Sequence, residues 1–234
     1  MAMGSVMVTG SNRGLGLEWV RQYAAAGWRV YATCRVPDQA DDLQRLRSQN
    51  PNVSVHRLDV TEPDQVGQMA VQLGDSPLDV LINNAGIYRE RWGKDQFGRI
   101  DYADWLDTFA VNTLGAMRVS EALVDSLARS ERRLSVAISS HMGSIADIGA
   151  PNDYAYRSSK AALNAAMKGL SLDLARRGIG VLILHPGWVR TRMGGDQAPL
   201  APSESVTGMR GLIDRFRQDL SGHFHRYDGT EIPW

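Results

Sequence analysis

Lysine is scarce in this sequence and cysteine is nearly absent. Of the 26 basic residues, only Lys94, Lys160 and Lys168 are lysines; the rest are arginines. The single cysteine, Cys34, has no second cysteine to bridge, which excludes a disulfide-stapled scaffold and points to a reducing compartment. Net charge is missing as well: 26 basic residues face 26 acidic ones. A non-specific nucleic-acid binder carries a basic excess, so that class is excluded. No apolar run reaches the roughly 18 residues of a membrane helix. The first ten residues, ending at Gly10, are too short to act as a signal peptide. A soluble, cytoplasmic protein is expected. Linkers, repeats and low-complexity tracts are also lacking, so a single domain over residues 1–234 is expected.

The composition present is that of a folded protein, with 43% hydrophobic and 22% charged residues. Short runs rich in Val, Ile and Leu recur at 5–9, 29–34, 53–58, 79–83, 134–139 and 180–185. They lack strict polar alternation, as strands buried on both faces of a parallel sheet do. Helical periods fill the gaps at 14–26, 40–48, 63–73, 102–129 and 154–177. Gly27 and Gly178 stand where helix stops are needed, the second after Arg176 and Arg177. The stretch 193–205 reads as a loop, 203–220 as a last helix and 227–234 as a last short strand. Strand–helix alternation predicts an α/β fold: one Rossmann-like, doubly wound parallel sheet of about seven strands with helices on both faces.

The first strand runs into Thr9-Gly10-Ser11-Asn12-Arg13-Gly14-Leu15-Gly16 and then a helix. Strand, glycine turn and helix N-terminus together make an anion site suited to a dinucleotide pyrophosphate. A glycine turn alone also serves simple strand-on-helix packing. The second strand ends Thr33-Cys34-Arg35, without the acid that recognises a free ribose 2′-hydroxyl. Arg35, with Arg13 from the glycine turn, suits a 2′-phosphate, which favours NADP(H) over NAD(H).

Tyr156 and Lys160 lie four residues apart at the start of a helical pattern and so share one face. A free tyrosine titrates near pH 10. A neighbouring ammonium is expected to lower that value and fit the phenol for general acid–base work on a carbonyl or alcohol. Tyr154 cannot take this part, because Ser158 stands four residues on from it.

Taken together, these motifs resemble the short-chain dehydrogenase/reductase family over essentially the whole chain. The resemblance rests on the 9–16 glycine turn, Asp59-Val60, Asn83-Asn84-Ala85-Gly86, Asn112, Ser139-Ser140, Tyr156-x-x-x-Lys160 and Pro186-Gly187-Trp188-Val189-Arg190-Thr191, in that order. Within the family, residues 154–160, 188–195 and 227–234 resemble the C-factor and sniffer-type carbonyl reductase branch. The resemblance implies that Tyr156 protonates a substrate carbonyl whose oxygen Ser140 binds, with Ser139 the runner-up. It implies that Lys160 also holds the nicotinamide ribose and that Asn112 supports a water-linked proton path toward Lys160. It makes Gly10, Ser11, Asn12, Arg13, Gly14, Leu15 and Gly16 cofactor contacts. Asp59 and Val60 would flank the adenine, and Asn83, Ala85 and Gly86 would lie near the ribose. Pro186, Gly187, Val189 and Thr191 would hold the carboxamide. Tyr156 stands sixteen positions after Ser140, more than is usual in the family, so the loop within 143–153 is expected to be longer.

Tyr88, Trp92, His141, Met142, Trp188 and Met193 follow strand ends and are candidates for the substrate wall. His223 and His225 alternate like metal ligands but have no third ligand near them in sequence, so they read as surface histidines and no metal is expected. His56 and His185 read as ordinary core or loop residues. Carbonyl reduction is the expected direction, because the cellular NADP pool is reductive. Two rivals remain: a cofactor-binding signalling or regulatory protein of C-factor type with incidental turnover, and an NAD-dependent alcohol dehydrogenase. Family members commonly pair the helices of 102–129 and 154–177 across a two-fold axis, so a homodimer or homotetramer is expected. The surplus small and apolar residues there include Ala161, Ala162, Ala165, Ala166, Met167 and Leu170.

Overall fold

The structure, a computed structural model, describes residues 4–90 and 96–234. Seven strands form its frame: β1 (Ser5–Val8), β2 (Arg29–Cys34), β3 (Val53–Arg57), β4 (Val80–Asn83), β5 (Leu134–Ile138), β6 (Gly180–His185) and β7 (Phe224–Arg226). They lie in the order β3-β2-β1-β4-β5-β6-β7, and every neighbouring pair is parallel. The helices are α1 (Gly14–Ala25), α2 (Asp41–Gln49), α3 (Pro63–Leu73), α4 (Tyr102–Phe109), α5 (Ala116–Ala122), α6 (Val124–Ala128), α7 (Tyr154–Ala175) and α8 (Pro202–Asp214).

The period-two alternation of β1 divides the core. Val6 and Val8 join a layer with Trp19 and Val20 of α1 and Val206 and Met209 of α8. Met7 joins the opposite layer with Val119 of α5 and Leu163 and Met167 of α7. Both faces are covered, as the unbroken apolar strands require. The strand order reverses between β1 and β4, so the connections leaving their carboxyl ends diverge and open a crevice there.

Four sequence expectations need correction. The 102–129 pattern is not one helix: after α4 the chain widens into a π turn over Ala110–Gly115, and Leu123, at φ −105° and ψ 6°, divides α5 from α6. Such wide turns often occur at functional sites, and this one carries Asn112. The last long helix ends at Asp214 because Phe216 leaves it to join the core layer of α1 and α8. Finally, the last strand is Phe224–Arg226, and 227–234 is not a strand. Asp228-Gly229 makes a turn, with Gly229 N–H donating to the Arg226 carbonyl (2.9 Å), and the tail folds back so that Ile232 N–H reaches the Phe224 carbonyl (2.8 Å). His225 therefore lies buried in β7 rather than on the surface, while His223 is exposed and bonds Glu231 (2.9 Å).

Candidate active site

The turn after β1 is stitched to the end of β4. Thr9 Oγ1 accepts the N–H groups of both Asn84 and Ala85 at 3.0 Å. Asn84 Nδ2 in turn donates to the carbonyls of Thr9 (2.8 Å) and Gly10 (3.2 Å). At Gly16 a Cβ would stand 2.1 Å from the Gly10 carbonyl oxygen, so only glycine lets α1 close over the turn. No side chain caps the N-terminus of α1. Its free N–H groups and positive end are therefore left for an anion. Ser11 is not part of that cradle: its buried hydroxyl donates to the Val8 carbonyl (2.7 Å) and accepts Thr33 N–H (3.2 Å), tying β1 to β2.

From this turn a cleft of about 600 Å³ runs to α7, a size suited to a cofactor. It brings together Gly10, Asn12, Arg13, Gly14, Leu15, Gly16, Arg35, Asp59, Val60, Ala85, Gly86, Tyr156, Lys160, Pro186 and Thr191. Ser11, Asn83, Asn112, Ser140, Gly187 and Val189 do not line it, whereas Ser139 does. Asn83 turns to the other side of the strand end, where it donates to Ser120 (3.0 Å), and Val189 is buried beside Leu200. Asn84 and Arg192, which sequence reasoning did not assign, do line it. Arg13 and Arg35 have no acidic partner among the described residues. The Arg13 guanidinium is held below its usual range by burial, then by the like charges of Arg192 and Arg35. An anionic group at this end would relieve that repulsion.

At the other end β5, the π turn and α7 converge. Ser140 follows β5; its hydroxyl accepts Met142 N–H (3.2 Å) and stands near enough to the Tyr156 phenol to favour its ionised form. Ser139 lines the cleft, but its hydroxyl donates to Asn164 Oδ1 (2.6 Å). Lys160 Nζ donates to the Ile138 carbonyl (2.8 Å) and lies 5.9 Å from the centroid of the Tyr156 ring. Burial pushes the phenol up to about 12, against a downward pull from Ser140. Burial pushes the ammonium down to about 8. The expected lowering of the tyrosine by the lysine is thus not found in the protein alone, because desolvation opposes both charges and the ammonium is engaged by a backbone carbonyl.

Asn112, buried on the π turn, holds Ile87 by both backbone groups: its Oδ1 accepts Ile87 N–H (2.8 Å) and its Nδ2 donates to the Ile87 carbonyl (2.9 Å). Nδ2 also donates to Ser159 (3.0 Å). A Cβ on Gly86 would stand 3.3 Å from Asn112 Oδ1 and 3.7 Å from Lys160 Nζ, so both polar groups point at the space this glycine leaves open.

The candidate wall residues divide. Tyr88 stacks on Tyr156 with centroids 4.2 Å apart, and Met193 lines the cleft. Trp188 is exposed and pins its own loop through Nε1 to the Gly194 carbonyl (2.8 Å). Met142 lines a separate apolar recess of about 420 Å³ with Trp105 and Tyr154. His141 is half-exposed and bonds Asp147 (2.6 Å), with its ring 5.8 Å from that of half-buried His185, whose imidazole desolvation pushes down to about 3. Trp92 lies outside the described residues.

Among the described residues no helix is long and apolar enough to cross a membrane. The short chain dehydrogenase family matches this chain over residues 5–199. C-signal of Myxococcus xanthus is 44% identical over 165 residues, which are 70% of this chain and 98% of that protein. The NADPH-bound carbonyl reductase from chicken fatty liver superposes with a TM-score of 0.93 at 33% identity, covering 100% of both chains. The carbonyl reductase Sniffer of D. melanogaster superposes with a TM-score of 0.92 at 33% identity, covering 99% of this chain and 100% of that one. With the glycine turn, the crevice at the strand-order reversal and the Ser140, Tyr156 and Lys160 cluster in place, this chain belongs to the short-chain dehydrogenase family of oxidoreductases.

Proposed function

We propose that this protein is an NADP(H)-dependent carbonyl reductase in which Tyr156 is the proton donor. The observation that carries the reading is the buried Tyr156 phenol, with Lys160 Nζ 5.9 Å from its ring, at one end of a cleft whose other end holds Arg13 and Arg35, which have no acidic partner among the described residues. The cradle fits a phosphorylated dinucleotide: uncapped N–H groups of α1 for the pyrophosphate and arginine forks for a 2′-phosphate. NADPH, when bound, supplies the hydride.

This chain's residues do the rest. Ser140 orients the carbonyl oxygen toward the phenol. Tyr156, protonated throughout the neutral range, delivers its proton to that oxygen. Lys160 places a positive charge beside the phenolate that forms and holds the ribose hydroxyls. Asn112 Oδ1, across from Lys160 at Gly86, anchors the water path that returns the proton. Gly86, Ala85, Asp59 and Val60 line the adenosine and ribose walls, while Pro186 and Thr191 border the nicotinamide end. Tyr88 and Met193 form the substrate side.

The test is NADPH and NADH oxidation with a panel of aldehydes and ketones. The reading expects turnover with NADPH far exceeding that with NADH. No turnover with any carbonyl while NADPH binds would favour the second reading, a cofactor-binding signalling protein. That reading is kept by the likeness to C-signal; the intact proton-transfer set speaks against it, since a pure binder needs none of it.

A homodimer or homotetramer is also proposed, with the contact on the outer faces of α4, the π turn and α7. Tyr102, Leu106, Leu114 and Leu172 are exposed there. Met167 is not part of it, being buried in the core layer of β1 Met7.

A further inference from the structure

The segment that leaves β4 touches the catalytic helix at three points. The N-terminus of α7 presents N–H groups that need acceptors, yet Asp153, just before it, does not cap them. Asp153 sits at φ +58°, after Asn152 at φ +71°, and its carboxylate accepts the Tyr88 hydroxyl at 2.6 Å. The cap comes from far upstream. Glu90, a buried carboxylate, accepts Ala155 N–H (3.1 Å) and Tyr156 N–H (2.8 Å). Tyr88, two residues before it, lays its ring on the Tyr156 ring at 4.2 Å and an interplanar angle of 23°. The start of the segment is held in turn by Asn112 through both backbone groups of Ile87.

We infer that Tyr88 and Glu90 are positioning residues for Tyr156: Glu90 fixes the backbone from which the phenol hangs, and Tyr88 fixes the plane of its ring. This rests on the reading of Tyr156 as proton donor. A carboxylate is costly to bury unless it is hydrogen-bonded. Here two charge-assisted bonds and the positive helix end offset that cost. One of the two amides is Tyr156's own, so the restraint acts directly on the residue that must meet the substrate oxygen. The Tyr88–Asp153 bond closes a ring of contacts around the first turn of α7, which restrains the stacked Tyr156 ring. The strap thereby links Asn112 to Tyr156 without either touching the other's functional atoms.

The experiment measures kcat and KM for a small aldehyde, the NADPH Kd by fluorescence and thermal unfolding, for Glu90→Gln, Glu90→Ala, Tyr88→Phe and Tyr88→Leu. A displacement of about 1 Å at the reacting group costs about a hundred-fold in rate. Glu90→Ala is expected to lose kcat on that order with NADPH Kd unchanged, and Glu90→Gln, which keeps one acceptor oxygen, to lose less. Tyr88→Leu is expected to lower kcat about ten-fold, within the same limit, and Tyr88→Phe, which keeps the stacked ring, to recover most of it. In a Tyr156→Phe background Glu90→Ala is expected to add no further loss, because the proton donor it positions is already gone. A merely structural role would lower the unfolding temperature without this kcat-only pattern. A folded Glu90→Ala with unchanged kcat, or an equal loss in both backgrounds, overturns the inference. Should Glu90→Ala fail to fold, unchanged kcat in Tyr88→Leu overturns it. A Tyr156→Phe single variant that stays active overturns the proton-donor reading itself, and that result needs no Glu90 or Tyr88 substitution to be seen.

Discussion

Replacing Arg35 by alanine separates two effects that are usually confounded, ligand affinity and fold stability. Arg35 is exposed at the mouth of the cleft, has no acidic partner among the described residues, and adds its charge to those already acting on Arg13. Removing it breaks no ion pair and relieves like-charge repulsion, so the cofactor-free protein is expected to unfold at the same temperature or slightly higher. The complex is different. A hydrogen bond from a charged donor contributes about 1.5–3 kcal/mol, and about 1.4 kcal/mol is a factor of ten in affinity. NADPH affinity is therefore expected to fall about ten- to a hundred-fold. The exposed position puts the effect at the lower end in high salt, where screening weakens it. NADH lacks the 2′-phosphate, so its Kd is expected to stay unchanged. Fluorescence titration with both cofactors at two ionic strengths, beside thermal melts, reads all three quantities. An unchanged NADPH Kd, or equal losses for NADPH and NADH, would refute the assignment of the arginine to the 2′-phosphate.

Lys160 is held at about 8 by burial, below its ordinary value of 10.5. Between those values the unfolded chain binds more protons than the folded one, so this group's contribution raises stability as pH climbs from 8 toward 10.5, by about 3 kcal/mol at most. Lys160→Met is expected to flatten that part of the pH–stability curve in urea titrations while abolishing turnover; an unchanged slope contradicts it. Ser140→Ala is expected to lower kcat about a hundred-fold, whereas Ser139→Ala, losing only its bond to Asn164, should act mainly on the melting temperature; the reverse pattern in steady-state rates would exchange their roles. Light scattering at micromolar concentration is expected to give about twice 25.8 kDa or a higher even multiple, and a monomer mass rules out the helix-face contact.

Much of the frame can be read from the sequence because its first six strands are short, unbroken apolar runs separated by helical periods. The first six expected strands overlap the observed ones. β7 was misplaced because it is three residues, Phe224–Arg226, with a histidine in the middle and a turn directly after it. The Asp228-Gly229 pair was the available signal for that turn. The π turn at Ala110–Gly115 has no signature in an otherwise helical period. Within the site, motif membership did not say which side chains face the cleft. Asn83 and Asn84 are adjacent at a strand end and point to opposite sides, so the second serves the glycine turn. Ser11 sits in the glycine motif, yet its hydroxyl joins two strands. The raised phenol of Tyr156 depends on burial, which spacing along a helix does not report. Glu90 carries no sequence mark at all: the amides it accepts belong to a helix that begins 64 residues later, at Tyr154.

In the proposed reaction Tyr156 gives the proton. Tyr156→Phe removes one oxygen from a buried ring and leaves the Tyr88 stack in place. Single-turnover carbonyl reduction with pre-bound NADPH, compared between wild type and this variant, tests it without interference from cofactor release. NADPH binding is expected to be retained and the reduction step to fall by at least about a hundred-fold, the range of a lost general acid. A variant that binds NADPH and reduces the carbonyl at close to the wild-type rate would contradict it.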